Sequence, residues 1–249
     1  MIDTCEQEES IDILMVVKDQ YDYVRQSIES IIKNSSNYHL YIWDNGSEEL
    51  TAKYLQEVAL LFEDKITLIK NSENSGFIVP NNRLAELGNN DYLILINSDT
   101  KVHENWTKPL VNFLKKNSDY SIVGYMGGLL NEEAQGVKIN YGEEIDFVCG
   151  WCCCMSRSFY NNFGLFDEQN LKFAYCEDAD LSLRAKEAGS KIYSLHLDLV
   201  EHYGSVTAKA VKEQGTDLSL TFSHNHNYMK KRWNEYLQKE RVMCNAISV

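Results

Sequence analysis

Residues 11–34, "IDILMVVKDQYDYVRQSIESIIKN", hold two hydrophobic periods back to back. The first seven residues form an apolar run rich in branched side chains; after a polar break, Val24, Ile28, Ile31 and Ile32 recur at helical spacing. A short continuous apolar run suits a strand covered on both faces, whereas apolar residues three and four apart line one side of a helix. The stretch therefore predicts a strand followed by a helix. The alternation repeats at "LYIW" (40–43) with "ELTAKYLQEVALLF" (49–62) and at "ITLIK" (66–70) with a shorter helix around "NNRLAELG" (81–88), then returns to a strand at "YLILI" (92–96). Strands alternating with helices imply right-handed crossovers, hence an α/β fold with a mainly parallel central sheet flanked by helices.

Beyond residue 120 the alternation loosens. "IVGYMGG" is followed by a polar stretch around "NEEAQGVKINYG" and then by "IDFVCGWCCCMS", which reads as one buried strand whose thiols pack as small hydrophobes. "KIYSL" and "LVEHYG" look strand-like, and a polar tail carries a helical stretch near "NYMKKRW". There is no internal repeat or low-complexity segment, and two prolines give no sign of a linker, so the expectation is one folded unit over 1–249.

The net charge of -13 argues against nonspecific attraction to nucleic acid or anionic lipid, which carry the same sign. A polyanionic partner then needs a metal ion or a local basic pocket. The first ten residues, "MIDTCEQEES", are acidic where a secretory signal is basic and then apolar, and no apolar run reaches the length of a membrane span. The expected state is soluble and cytoplasmic. Cys152, Cys153 and Cys154 are adjacent, with neither the geometry to pair with one another nor a spaced metal motif, and so are expected to be reduced and buried.

In open α/β sheets ligands bind beyond the carboxyl ends of the strands. The four apolar runs end in "KDQ", "DNGS", "NSENSG" and "NSDT". Turn chemistry alone predicts such residues, but Asp44 and Asp99 lie at the ends of the two most apolar strands. Asn97 and Asp99 supply hard oxygen donors that suit Mg²⁺ or Mn²⁺; the alternative for "NSD" is an Asx turn that closes the strand.

The stretch "YCEDADLSLRAKEAG" (175–189) gathers Glu177, Asp178 and Asp180 ahead of an amphipathic pattern ending at Gly189. Acids at a helix start are stabilised by its macrodipole. Asp180 and Arg184, four apart, can pair along the helix, which leaves Glu177 and Asp178 to face a cleft. His202 in "VEHYG" can complete a metal shell or touch a phosphate, or be an ordinary surface or core residue. His224 and His226, read as part of an extended segment, lack a third ligand nearby. The basic and aromatic "MKKRW" is either a solvated helix face or a patch for peripheral membrane or diphosphate contact.

Together, "IWDNGS", "NSENSGF" with "NNRLAE", "LILINSDT", "GWCCCMSRSFYNNFGLFDE", "YCEDADLSLRAKEAG" and "VEHYGS" resemble, in order and spacing, family 2 glycosyltransferases, particularly the rhamnosyltransferase-like bacterial branch. The resemblance runs from about residue 11 to 205. It implies the glycosyltransferase-A fold, with a nucleotide-binding half over about 11–100, an acceptor and catalytic half over about 101–205 and a helical tail over 206–249. It implies inverting transfer of a sugar from a nucleoside diphosphate sugar, of UDP or dTDP type, to an acceptor hydroxyl on a glycan, lipid-linked or protein acceptor. Cell-surface polysaccharide or glycoconjugate synthesis is the implied setting.

By the same resemblance Asp178 is the catalytic base with Glu177 beside it, Asp99 holds Mn²⁺ or Mg²⁺, and His202 makes a metal or diphosphate contact. Asp44 contacts the nucleotide base, and Asn45, Gly76, Asn82, Asn97, Ser98, Gly150 and Trp151 are substrate-binding positions within the matched motifs. The first strand departs from the family pattern: "VVKDQ" offers Lys18 toward a phosphate and Asp19 toward the base or ribose. Two other readings compete. A nucleotidyltransferase would usually carry a Gly-rich basic segment after the first strand, and "VVKDQYDY" has no glycine; a silent sugar-binding domain would be expected to lack Asp178 or Asp99.

Overall fold

The computed structural model describes residues 9–204 and 217–247, with side chains to residue 241. Its first half is the expected alternation: β1 (Ile11–Val17), α1 (Tyr21–Asn34), β2 (Tyr38–Asn45), α2 (Glu49–Leu61), β3 (Ile66–Asn71), α3 (Ile78–Ala85) and β4 (Tyr92–Ile96). A short β5 (Thr100–Val102) and α4 (Thr107–Lys116) lead to β6 (Tyr120–Gly124). Then come β7 (Gly127–Leu130), β8 (Gly136–Asn140), β9 (Phe147–Val148), β10 (Cys152–Ser156) and α5 (Arg157–Phe163). The remaining elements are α6 (Glu177–Glu187), β11 (Lys191–Ser194), β12 (Val200–His202) and α7 (Leu218–Ile247).

Seven strands make the central sheet in the order β11-β6-β10-β4-β1-β2-β3. All neighbours in it run parallel except β10, which is antiparallel to both β4 and β6. The sheet is mainly parallel, as the alternation implies. From β1 the chain steps outward through β2 and β3, then returns to lay β4 on the other side of β1. That reversal opens a crevice at the carboxyl ends of β1 and β4, where α/β sheets bind ligands.

Both faces of the sheet are covered. Ile11, Ile13, Met15 and Val17 of β1 pack on one side with Val24, Ile28 and Ile31 of α1, Leu55 of α2 and Leu110 of α4. Leu14 points to the other side, with Ile78 and Leu84 of α3, Phe159 of α5 and Leu181 of α6. The cysteines of β10 follow the same alternation, Cys152 and Cys154 to the first layer and Cys153 to the second, so the thiols are buried hydrophobes. Burial pushes each of them above the ordinary thiol value, which keeps them protonated.

Several elements differ from the sequence reading. "IDFVCGWCCCMS" is two strands rather than one, because the chain turns at Cys149, Gly150 and Trp151 before entering β10. The polar stretch around residue 136 contains β8, which pairs with β7 and is largely exposed, so no apolar period marks it. Helix α3 begins three residues earlier than expected, with Pro80 in its first turn, where a missing N–H costs nothing. Helix α7 starts at Leu218 and runs for 30 residues, so His224 and His226 are helical, not extended. It packs Met229, Trp233 and Leu237 against Ala179 and Leu183 of α6 and Leu130 of β7. Among the described residues no helix is long and apolar enough to cross a membrane.

Candidate active site

The crevice is a cleft of about 400 Å³, reached by the ends of β1, β2 and β4, by the turn before β10 and by the start of α6. Its floor at β2 is organised by Asn45. The Asn45 amide donates to Asn74 Oδ1 and to the Gly76 carbonyl, both at 2.8 Å, while its Oδ1 accepts from the Ser75 N–H at 2.8 Å. One buried side chain thus fixes the loop after β3. Gly76 has φ +84°, and a Cβ there would lie 2.4 Å from the Phe173 carbonyl, so only glycine satisfies both the turn and the close approach.

At the end of β4, Asn97, Ser98 and Asp99 line the cleft together with His202 of β12. The β12–β5 ladder carries His202 there, pairing it with Thr100. His202 Nε2 lies 3.2 Å from Asp99 Oδ1, and its ring stacks on Trp151 at 4.7 Å with an interplanar angle of 11°. Asn97 Oδ1 is buried without a hydrogen-bond partner. These residues fit a hard divalent cation: the Asp99 carboxylate and the His202 imidazole meet, and Asn97, whose carbonyl oxygen is orphaned, lines the same cleft. Among the described residues no group of three His, Cys, Asp or Glu side chains could hold a metal by itself. A cation here would complete its shell with water and phosphate oxygens, the habit of Mg²⁺ and Mn²⁺ rather than of a structural zinc.

Glu177 and Asp178, in the first turn of α6, line the same cleft. Asp178 Oδ2 accepts from the Gly150 N–H at 3.0 Å and Oδ1 from the Ala179 N–H at 2.8 Å. Glu177 is 8% exposed, and its Oε2 has no hydrogen-bond partner. Burial, and then the neighbouring Asp178 charge, push Glu177 up to about 8. Burial raises Asp178 as well, but the N–H groups of Gly150 and Ala179 act in the opposite direction. Two adjacent carboxylates cannot both ionise cheaply; backbone N–H groups act on Glu177 too, but its burial, the Asp178 charge and an Oε2 without any donor put the proton on Glu177 and leave the charge on Asp178. Asp180 is fully buried behind them, paired with Arg184 Nε at 2.7 Å and accepting from Trp233 Nε1 at 3.0 Å.

Among the described residues Lys18 is the cationic side chain lining the cleft, and its Nζ is bound to Asp19 at 2.6 Å and to the Gly46 carbonyl at 3.0 Å. Gly150 and Trp151 also face the cleft. Asp19, Asp44 and Asn82 do not line it. Asp19 Oδ1 and Asp44 Oδ1 accept from the backbone N–H groups of Glu48 and Ser47, and Asn82 donates to the Phe166 carbonyl and to Glu168. All three act as loop fasteners around the rim. His224 and His226 each present Nε2 to a backbone carbonyl, of Asn170 and Glu133, at 3.0 Å. Of "MKKRW", Met229 and Trp233 are buried, and Lys230 and Arg232 pair with Glu133 and Glu187.

Sequence reading passed over the aromatic side of the cleft, formed by Phe77, Phe173 and Tyr175, and over Leu218 at the start of α7. The one available signal was position, since Tyr175 lies two residues ahead of Glu177. Backbone strain gathers at the rim: Asp19 and Gln20 on one loop, and Phe173, Tyr175 and Cys176 on another, have positive φ without being glycine. Each costs roughly 1–2 kcal/mol, a cost typical of functional loops. Cys149 lines the cleft too, and burial and the Asp178 charge push its thiol up to about 12, which keeps it protonated.

Known proteins share this architecture. The structure of GalNAc-T7 with UDP, GalNAc and Mn²⁺ superposes with a TM-score of 0.69 at 16% identity, over 79% of this chain and 44% of that one. The mannosyltransferase PcManGT from Pyrobaculum calidifontis, in complex with GDP-Man and Mn²⁺, gives 0.62 at 11% identity, over 98% and 76%. S. aureus TarS 1-349 gives 0.59 at 13% identity, over 77% and 59%. These likenesses establish the glycosyltransferase-A fold. An uncharacterized glycosyltransferase of Haemophilus influenzae is 25% identical over 128 residues, 51% of this chain and 39% of its own. The putative glycosyltransferase EpsE of Bacillus subtilis is 26% identical over 129 residues, 51% of this chain and 46% of its own. The chain thus matches less than half the length of these curated relatives. Residues 12–175, which carry the strand ends and the aromatic rim just described, match the family "Glycosyl transferase family 2", and the chain belongs to that family.

Proposed function

We propose that this glycosyltransferase moves a sugar, with inversion, from a nucleoside diphosphate sugar of UDP or dTDP type to an acceptor hydroxyl, in the synthesis of a cell-surface polysaccharide or glycoconjugate. The observation that carries this reading is one cleft holding two different pairs: the Asp99 carboxylate with the His202 imidazole, suited to a cation and a diphosphate, and the carboxyls of Glu177 and Asp178, suited to proton transfer. Asp178, ionised and oriented by the Gly150 N–H, accepts the acceptor's hydroxyl proton as that oxygen bonds to the anomeric carbon. The bond from that carbon to the diphosphate breaks, and the diphosphate leaves with the electron pair. Asp99 and His202, with Asn97 lining the same cleft, would hold Mn²⁺ or Mg²⁺, which would supply positive charge for the departing oxygens. GalNAc-T7 with UDP and Mn²⁺ and PcManGT with GDP-Man and Mn²⁺ support the nucleotide and metal parts of this reading.

The test is a screen of UDP-, dTDP- and GDP-sugars with and without Mn²⁺, read by thermal shift and by donor hydrolysis. Mn²⁺-dependent stabilisation by one class of nucleotide sugar, together with slow release of its nucleoside diphosphate, is expected. Stabilisation by nucleoside triphosphates alone would overturn the reading in favour of nucleotidyl transfer.

A further inference from the structure

The loop that brings the chain into α6 is fastened by a residue of α7. Asn225 is fully buried, and every polar atom of its side chain is spent on the backbone of residues 172–175. Its Oδ1 accepts from the Lys172 N–H at 2.8 Å. Its amide donates to the Lys172 carbonyl at 2.8 Å and to the Ala174 and Tyr175 carbonyls at 2.9 Å each. Two N–H groups are thus shared among three carbonyls, an arrangement that needs the loop curled around the side chain. Phe173 and Tyr175 reach that curl only with positive φ, at 59° and 79°, and Cys176 continues it at 71°. Non-glycine residues leave such conformations unless held.

The fastened loop touches both sides of the cleft. Phe173, Ala174 and Tyr175 line it. The Phe173 carbonyl accepts from the N–H groups of Phe77 and Ile78, at 2.6 and 3.1 Å, which ties the loop to the start of α3 beside Gly76. At its other end the loop delivers Glu177 and Asp178. We propose that Asn225 is a positioning residue for sugar transfer: it holds the 172–176 loop in its strained form and thereby sets both the wall of the cleft and the carboxylates of α6. The proposal rests on the transferase reading above. It gives α7, which lies outside the family match over 12–175, a part in the site.

Three variants test it. Asn225→Ala removes the amide, and Asn225→Asp keeps its shape and its acceptor while losing the donors, so a cavity alone cannot explain an effect seen in both. Lys230→Ala, on the same helix, breaks only the surface pair with Glu133 and serves as the control. Hydrogen exchange of the full chain is read at the amides of Phe77 and Ile78 and, in Asn225→Ala only, at Lys172, whose acceptor Asn225→Asp retains. Exchange at least tenfold faster in both Asn225 variants, with β1 and β4 unchanged and Lys230→Ala like the wild type, is the expected result. Wild-type exchange at those amides overturns the proposal whatever the enzyme does.

The second readout is turnover of the nucleotide sugar that the wild type hydrolyses best. The expected result is a fall of tenfold or more in kcat, with donor KM changed less than threefold. Faster exchange with unchanged kcat overturns the positioning role. A wild type without turnover on any nucleotide sugar sinks the transferase reading, and the positioning role with it, and the exchange data then decide only whether Asn225 fastens the loop. If Asn225→Asp does not fold, Asn225→Ala carries both readouts.

Discussion

The Gly150 N–H meets Asp178 Oδ2 at 3.0 Å, and a Cβ on Gly150 would come within 3.2 Å of Asp178 Cβ. The glycine therefore both orients the carboxylate and leaves it room. Gly150→Ala should fold normally and displace Asp178 by a few tenths of an ångström. A misplacement of that size in a proton acceptor costs about tenfold in turnover, with donor KM little changed. Steady-state kinetics check this, and unchanged kcat would remove Gly150 from the geometry of the site.

The two acids of α6 should separate on substitution. Asp178→Asn keeps its shape but cannot accept a proton, so transfer should fall by about 10²–10⁴ while nucleotide-sugar binding persists. Glu177→Gln imitates the protonated acid and should retain turnover within about threefold near neutrality. Isothermal titration alongside kinetics distinguishes these outcomes; full transfer by Asp178→Asn would exclude it as the base.

Glu177 also makes stability depend on pH. Its value rises on folding from 4.5 to about 8, so between those limits the folded chain binds more protons than the unfolded one. Stability attributable to this group is present below 4.5 and is lost as the pH climbs toward 8. Glu177→Gln removes the loss. In metal-free buffer its melting temperature should gain on the wild type across that window and the difference should level off above it; a constant difference would show that Glu177 does not change protonation on folding.

The start of each layer was legible in the sequence because β1, β2 and β4 are covered on both faces and α1 carries one apolar stripe. Asp99 and Glu177 could be singled out because ligand chemistry concentrates just past strand ends and at helix starts. Strand direction could not be read: β10 is as apolar as a parallel strand, and only its pairing with β4 and β6 makes it antiparallel. Nor could Asn225, since its meaning lies in carbonyls 50 to 53 positions upstream. Asp44 and Asn82, which the family resemblance makes substrate contacts, also tie loops through Ser47 and through Phe166 and Glu168, a use that appears only once the chain is folded.

The Asp99–His202 pair predicts how metal and stability are linked. A cation that binds only the folded chain raises its stability by about 2.7 kcal/mol at one hundred times the dissociation constant. Asp99→Ala should abolish the Mn²⁺-induced rise in melting temperature, and His202→Ala should reduce it by weakening affinity about 10- to 100-fold. Neither variant should melt much earlier than the wild type in EDTA. An undiminished Mn²⁺ shift in Asp99→Ala would locate the cation elsewhere.

At the opposite end of the sheet, Asp12 is fully buried in β1 and binds the Arg157 guanidinium, with the Asn90 N–H and side-chain amide at 3.0 and 2.7 Å. Arg157 in turn donates to the Ala85 and Asn90 carbonyls, so the pair joins β1, α3 and α5. A buried charge stripped of its partner costs far more than the pair contributes, because desolvation is no longer offset. Arg157→Met should therefore destabilise the chain by about 3–5 kcal/mol in urea unfolding. The double substitution Asp12→Leu, Arg157→Met removes both charges and should recover a large part of that loss. Because Asp12 is near the amino end of β1, away from the cleft, turnover per folded molecule should stay unchanged throughout. A loss below about 1 kcal/mol for Arg157→Met would mean that water or Asn90 alone can carry the Asp12 charge.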